Sequence, residues 1–210
     1  VIFNSEKKSK GWHVKINNPE CASFKIFNGK KLMGEINWGL IGEHNKKNAL
    51  ATFVIADSLG VKGKKISESL SNFKGTARRM ETIGKQNSIT VYDDFAHHPT
   101  AIKFTLDGLR KKVGKEKIIC LLEMRSNTMA SGYHDAVIPK CLEDADRVFL
   151  FSKNATQVKS ISEKDDRFTV CKGTREFMRL LPELHEPNSH IICLSNGSFD
   201  QIHHAILERL

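Results

Sequence analysis

The stretch Val91-Tyr92-Asp93-Asp94-Phe95-Ala96-His97-His98-Pro99-Thr100 decides the reading of this chain. Its lead-in, Ile89-Thr90-Val91-Tyr92, is β-branched and aromatic and favours a strand. Downstream, Pro99 can open a helix, because the first helical N–H has no intrahelical partner to lose. Ile102, Leu106, Leu109 and Val113 then recur at the spacing of an amphipathic helical stripe. Two carboxylates, an aromatic ring and two imidazoles therefore fall between a strand and a helix. In an open α/β sheet ligands bind outside the carboxyl ends of the strands, which makes the segment a candidate site. The plainer alternative is a solvated turn, with Asp94 capping the helix and the histidines merely exposed.

From residue 89 onward the pattern alternates strand and helix. Residues 117–122, 147–151 and 190–194 are compact apolar strands, and residues 175–184 and 199–210 are helical, the last carrying Ile202, Ile206 and Leu210. Such alternation predicts an α/β fold with a mostly parallel, Rossmann-like sheet over residues 89–210. Two further strand ends are polar, Glu123-Met124-Arg125-Ser126-Asn127-Thr128 and Ser195-Asn196-Gly197-Ser198, and with the opening stretch they should converge on one sheet edge.

Residues 1–88 read as a different piece. Ser23-Phe24-Lys25-Ile26-Phe27 alternates, Asn28-Gly29 signals a hairpin turn, and residues 32–36 can return as the partner strand. Trp12 and Trp38 are read as packing residues. A helix follows Gly42 and ends at Gly60, with His44, Asn45 and Asn48 in its first turn. Asn45 and Asn48 share a face and could offer paired amides to a flat heterocycle, or one of them could be the N-cap. Ile66, Leu70 and Phe73 suggest a second short helix, and Arg78-Arg79 beside Gly75 could clamp phosphate.

The composition narrows the class. The 210 residues are 40% hydrophobic, enough for a real core, and hold no apolar run long enough to span a bilayer. The first residues lack the pattern of a secretory signal, and the missing initiator Met suggests that Val1 is a cut point. Five cysteines (Cys21, Cys120, Cys141, Cys171, Cys193) are widely spaced and include no C-x-x-C pair, which points to a reduced, cytoplasmic protein with buried thiols and no structural zinc. The formal charge of +9 suits a polyanion such as a nucleotide. A basic, non-catalytic nucleic-acid-binding module is the reading from another class, yet the lysines are scattered without aromatic interleaving. His97, His98, His203 and His204 match no common metal spacing.

Five ordered motifs together carry a resemblance: G-E-H-N-K-K-N-A-L-A, F-K-G-T-A-R-R-M-E, Y-D-D-F-A-H-H-P-T, E-M-R-S-N-T-M and S-N-G-S-F-D-Q-I-H. From about residue 35 the chain resembles the C-terminal half of the Mur ligase family. The likeness runs most closely to the branch that joins L-Ala-γ-D-Glu-meso-diaminopimelate to UDP-N-acetylmuramate in peptidoglycan recycling. The L-alanine-adding branch shares the D-D-x-x-H-H-P pattern and is the alternative within the family. The resemblance implies an ATP- and Mg-dependent amide ligase that works through an acyl phosphate. It implies ATP contacts at His44, Asn45, Asn48, Arg79, Asp94 and His97, with Asp94 on the ribose and His97 and Arg79 as the catalytic residues facing phosphate. It places the peptide's carboxylates against Arg125, Ser126 and Asn127, with His98 also binding substrate and a second substrate segment at Ser195, Asn196 and Phe199. The family's G-x-x-x-x-G-K-[ST] phosphate loop does not occur in the chain. The expectation is therefore the tail of a central ATP-binding domain (1–88) followed by a C-terminal domain (89–210), inactive alone. Neither a nucleic-acid partner nor a membrane is expected, and oligomeric state is not legible.

Overall fold

The computed structural model of the protein describes residues 11–18, 22–163, 165–184 and 186–210, so Cys21 lies outside the described residues. The chain divides into two compact units, 1–75 and 76–210.

In the first unit, β1 (Trp12–Ile16), β2 (Ser23–Asn28) and β3 (Lys31–Asn37) form an antiparallel sheet in the order β1-β2-β3. The expected hairpin is present, but its turn residues are Gly29-Lys30, because Asn28 still pairs with Lys31 and Gly29 alone takes the left-handed conformation, φ 58°. Two helices pack on the sheet, α1 (Glu43–Ser58) and α2 (Gly63–Ser71). Gly34 sets the spacing, since a Cβ there would stand 2.3 Å from Ser67 Oγ and 2.7 Å from the Phe53 ring. Phe24, Ile26, Ile36, Phe53 and Trp38 lead the core, and Trp12 packs against Phe53 at 6.0 Å. Both tryptophans are packing residues, as the sequence indicated. Phe73 is not part of the second helix: it lies beyond the end of α2 and is exposed.

The second unit begins earlier than the expected boundary at 88/89. β4 (Glu81–Gln86) pairs antiparallel with β5 (Ile89–Asp94), so 81–88 belongs to the larger sheet. Then follow α3 (Pro99–Val113), β6 (Ile118–Glu123), α4 (Asn127–Ala130), α5 (Ile138–Cys141), β7 (Arg147–Phe151), α6 (Ala155–Ser162), β8 (Phe168–Cys171), α7 (Thr174–Leu180), β9 (His190–Leu194) and α8 (Ile202–Arg209). The sheet order is β4-β5-β9-β6-β7-β8, parallel everywhere except at the β4 edge. This is the mostly parallel α/β sheet read from the sequence.

The side-chain period of a strand divides the core cleanly. Ile118, Cys120, Leu122, Ile192 and Leu194 face one apolar layer with Ile102, Leu106 and Leu109 of α3. Ile119, Leu121, Ile191 and Cys193 face the other with Phe177 of α7 and Ile202 and Ile206 of α8. The central strands are covered on both sides, which is why they read as unbroken apolar runs. Residues 175–184 were expected as one helix, but α7 gives way to a 3₁₀ turn, Leu181–Leu184. Residues 199–201 likewise form a 3₁₀ turn before α8, with Phe199, Asp200 and Gln201 all left-handed at φ 49°, 51° and 55°.

Candidate functional site

β5, β9 and β6 are parallel neighbours, so their carboxyl ends, with the three polar segments that follow, open on one edge of the sheet. That convergence is the arrangement the sequence predicted.

The strand β5 runs through both aspartates, which are 4% and 3% exposed, rather than leaving them in the turn. Successive residues of a strand point to opposite faces, so Asp93 and Asp94 cannot act as a carboxylate pair. Asp94 faces α3. Its Oδ2 accepts the Met80 N–H at 2.7 Å, its Oδ1 accepts the Ala96 N–H at 2.7 Å, and the Thr105 hydroxyl lies 3.4 Å from Oδ1. The carboxylate thus fixes the turn around it. Asp93 accepts Arg78 Nε at 2.9 Å, and Arg78 Nη2 donates to the Ser195 carbonyl at 2.7 Å. Arg78 is left-handed, φ 58°, with its backbone N–H donating to Glu81 at 2.7 Å. Its guanidinium carbon lies 5.4 Å from the Phe95 ring centroid, and that of exposed Arg79 lies 5.7 Å from the same ring. Of the arginine pair, therefore, Arg78 is a tie and Arg79 stays available to a ligand.

The two histidines also separate. His97 Nδ1 lies 3.0 Å from the Phe95 carbonyl, and its ring stands edge-on to Phe95. His98, not Asp94, caps α3, its Nδ1 accepting the Thr100 N–H at 3.3 Å. The exposed His98 ring meets His134 edge-on at 4.8 Å, beside a largely apolar cleft that also includes Phe104 and Val137.

A cavity of about 460 Å³ opens beyond β6, β7 and β8. Its walls include Glu123, Arg125, Lys153, Lys172, Phe199 and Asp200. Arg125, Lys153 and Lys172 are exposed, and among the described residues none of them takes part in an ion pair within 4.0 Å. Their free donors suit carboxylates. The sequence reading found Arg125 and missed both lysines. The signal was there: each cation stands one or two residues past the last residue of its own strand, at Glu123, Phe151 or Cys171.

The remaining expected substrate contacts divide by exposure. Asn127 is exposed, whereas Ser126 Oγ is buried and without a hydrogen-bond partner among the described residues, as is Asn196 Oδ1. Ser195 is fully buried: its hydroxyl donates to Glu123 and accepts the Gly197 N–H at 2.8 Å, which places it behind the surface rather than on it. Phe199 packs edge-on to Phe151 at 4.9 Å and belongs to the core while forming part of the cavity wall.

In the first unit, α1 begins at Gly42, φ 94°, with no side-chain cap, so neither asparagine is the N-cap. Asn45 Nδ2 donates back to the Ile41 carbonyl at 2.8 Å, while Asn48 is exposed one turn on. The paired-amide arrangement is therefore not preformed, because one amide is already engaged. His44 is half-buried beside them. Lys46, in the same turn, is 2% exposed and pairs with Glu43 at 2.5 Å. Among the described residues no cluster of three His, Cys, Asp or Glu side chains could hold a metal ion.

Comparison with known proteins gives a consistent result. The family model described as "Mur ligase, glutamate ligase domain" matches residues 78–197. A UDP-N-acetylmuramate–L-alanyl-γ-D-glutamyl-meso-2,6-diaminoheptandioate ligase of Haemophilus influenzae is 36% identical over 97% of this chain and 46% of its own length. A UDP-N-acetylmuramate–L-alanine ligase of Desulforapulum autotrophicum is 28% identical over 89% of this chain and 44% of its own. The crystal structure of a murein peptide ligase from Psychrobacter arcticus superposes with a TM-score of 0.69 at 29% identity, covering 99% of this chain and 45% of that one. The chain thus spans about half the length of the curated relatives it matches.

Proposed function

The chain belongs to the Mur ligase family, and from that premise we propose that it is the C-terminal portion of an ATP-dependent ligase joining UDP-N-acetylmuramate to L-Ala-γ-D-Glu-meso-diaminopimelate. The observation that carries the choice of amine substrate is the cavity beyond β6, β7 and β8, where three adjacent strands each deliver a cation, Arg125, Lys153 and Lys172, that forms no ion pair among the described residues. A tripeptide bearing several carboxylates matches that field, with Asp200 on the cavity wall for the ammonium group of its diaminopimelate. Free L-alanine, with one carboxylate, would leave most of it unused. The diaminoheptandioate ligase keeps its 36% identity over 97% of this chain, whereas the L-alanine ligases combine 28% with 89% or 36% with only 64%, which supports the same choice.

In this reading ATP phosphorylates the sugar carboxylate, and the peptide's amino group attacks the resulting acyl phosphate. Chemistry of that kind rests on positioning and charge neutralisation more than on a covalent enzyme intermediate. The chain's residues bind and orient. Arg79 is an exposed guanidinium steadied over Phe95 and suited to phosphate, with His97 two residues beyond that ring. Asp94, committed to two backbone amides, serves by holding the turn, and any ribose contact would be made from that fixed position. His44, Asn45 and Asn48 are the proposed base contacts, with Asn45 giving up its bond to Ile41 on binding. The described residues offer Mg²⁺ no ligand cluster of their own. Among them, too, no helix is long and apolar enough to cross a membrane, and a cytoplasmic place in peptidoglycan recycling is proposed with the function.

The test is peptide-dependent ADP release by the full-length protein, with UDP-N-acetylmuramate present. Turnover with the tripeptide and little with L-alanine is expected, and the reverse preference would move the chain to the L-alanine-adding branch. The chain alone, in which the G-x-x-x-x-G-K-[ST] sequence does not occur, is expected to release none.

A further inference from the structure

Arg125 does not extend from its strand end unaided. Its side chain lies flat across Gly197, at the end of the neighbouring strand β9: a Cβ at that glycine would stand 1.6 Å from Arg125 Nη1, 2.6 Å from Cζ and 3.0 Å from Cδ. Gly197 is not in the left-handed region, so its backbone does not require glycine. A side chain there would instead displace the far end of Arg125, whose guanidinium lies where the Cβ would be.

Gly197 is itself held. Its N–H donates to Ser195 Oγ at 2.8 Å, and that hydroxyl donates to Glu123, at the end of the strand that carries Arg125. Ser195 is tied a second time through its backbone: its N–H donates to the Asp94 carbonyl at 3.1 Å, and its own carbonyl accepts Arg78 Nη2 at 2.7 Å. A buried serine thus joins the ends of β5, β6 and β9 and fixes the surface on which the arginine rests.

We propose that Gly197 and Ser195 are positioning residues for Arg125, fixing where its guanidinium stands in the basic cavity and so how tightly a carboxylate-bearing peptide is gripped. The proposal rests on the reading of that cavity as the peptide site. Its chemistry is a bare backbone surface, kept clear by the glycine and kept still by the serine–glutamate tie.

The experiment compares full-length Gly197→Ala, Ser195→Ala, Arg125→Ala and the double variant Gly197→Ala/Arg125→Ala, reading KM for tripeptide and for ATP beside a thermal melt. Displacing a positioning group by about an ångström can cost up to about a hundredfold. Gly197→Ala should therefore raise the peptide KM about ten- to a hundredfold and leave the ATP KM unchanged. The double variant should be no worse than Arg125→Ala alone, a non-additivity that general destabilisation would not give. Ser195→Ala, which cuts the tie without adding bulk, should shift the peptide KM in the same direction and decides the matter if Gly197→Ala does not fold. An unchanged peptide KM in both Gly197→Ala and Ser195→Ala, or full additivity in the double variant, overturns the inference. No effect of Arg125→Ala would instead sink the cavity reading beneath it.

Discussion

The two units bury their apolar residues differently. In the second, central strands carry apolar side chains on both faces, and each face has its own helical cover. The first has a single apolar cluster between a three-stranded sheet and two helices, and it exposes Ile16, Leu32, Ile55, Leu59, Val61 and Phe73, against Phe104, Tyr133 and Val137 in the larger second unit. A sheet covered on both sides resists local opening, whereas a one-sided core opens more readily. Side chains are accordingly held ready for a ligand to different degrees in the two units. The strand ends of the second unit hold Arg78, Asp94 and Ser195 in multiple bonds, while the first presents Asn45 with its amide turned back on its own chain.

The comparison breaks most visibly in the cores. Phe53 in the first unit and Phe177 in the second are both fully buried, and truncation to alanine should cost about 3–5 kcal/mol in either place. Phe53→Ala is expected to abolish hydrogen-exchange protection across β2 and β3, whereas Phe177→Ala should lower protection in β6 and β9 without removing it. Equal losses in the two units would end the distinction.

A smaller effect is expected at the strand end. Asp94→Ala leaves the Met80 and Ala96 amides without their acceptor and should cost about 1–3 kcal/mol by urea unfolding of the second unit. Asp94→Asn keeps an acceptor oxygen and should cost less. If alanine and asparagine behave alike, the amides are not what the carboxylate serves.

Thiol chemistry sharpens the picture of the larger core. Burial pushes Cys141 and Cys171 up to about 12 and drives Cys120 and Cys193 upward as well. For a thiol at about 12 the reactive thiolate is about one part in ten thousand at pH 8. In a Cys21→Ser background, a disulfide reagent should therefore label the native protein hardly at all and the unfolded chain at every remaining cysteine. Rapid native labelling of Cys120 or Cys193 would mean that the doubly covered sheet opens easily.

The smallest effect is a pH dependence. Burial holds the His203 imidazole below its usual 6.5. The unfolded chain then takes up the proton first as pH falls, so stability from this group is present above 6.5 and is lost as pH drops from there toward the folded value. Asp93 and Glu81 oppose the shift, and Arg78 and His204 deepen it. His203→Leu should flatten the loss of stability as pH falls below 6.5. A slope equal to that of the unsubstituted protein would remove His203 as its source.

Much of the larger unit was legible because its central strands are short apolar runs with β-branched residues, and the strand at 190–194 falls where it was read. β4 escaped because it is a half-exposed edge strand with no alternating apolar residues, and its omission displaced the unit boundary. The left-handed run at Phe199, Asp200 and Gln201 carries no glycine or asparagine to announce it. At the site, the shared sheet edge followed from the pattern, but the jobs of neighbouring residues did not. Arg78 and Arg79 are identical in sequence terms and opposite in use, one bonded to Asp93 and Ser195 and the other exposed. Lys153 and Lys172 were overlooked because a lone lysine after a strand looks like solvated surface until the three strand ends are seen side by side.

The opposed directions of Asp93 and Asp94 carry a consequence for how this gene can change. Inserting or deleting one codon between Ile89 and Asp93 would slip the strand by one and turn both carboxylates, with apolar neighbours such as Val91 and Tyr92, to the opposite faces of the sheet. The β4–β5 turn at Asn87-Ser88, exposed and outside both strands, is free of that parity. Length variation between relatives should therefore accumulate in the turn and be absent from the strand, and two aspartates that look like a duplicated letter serve different partners on different faces.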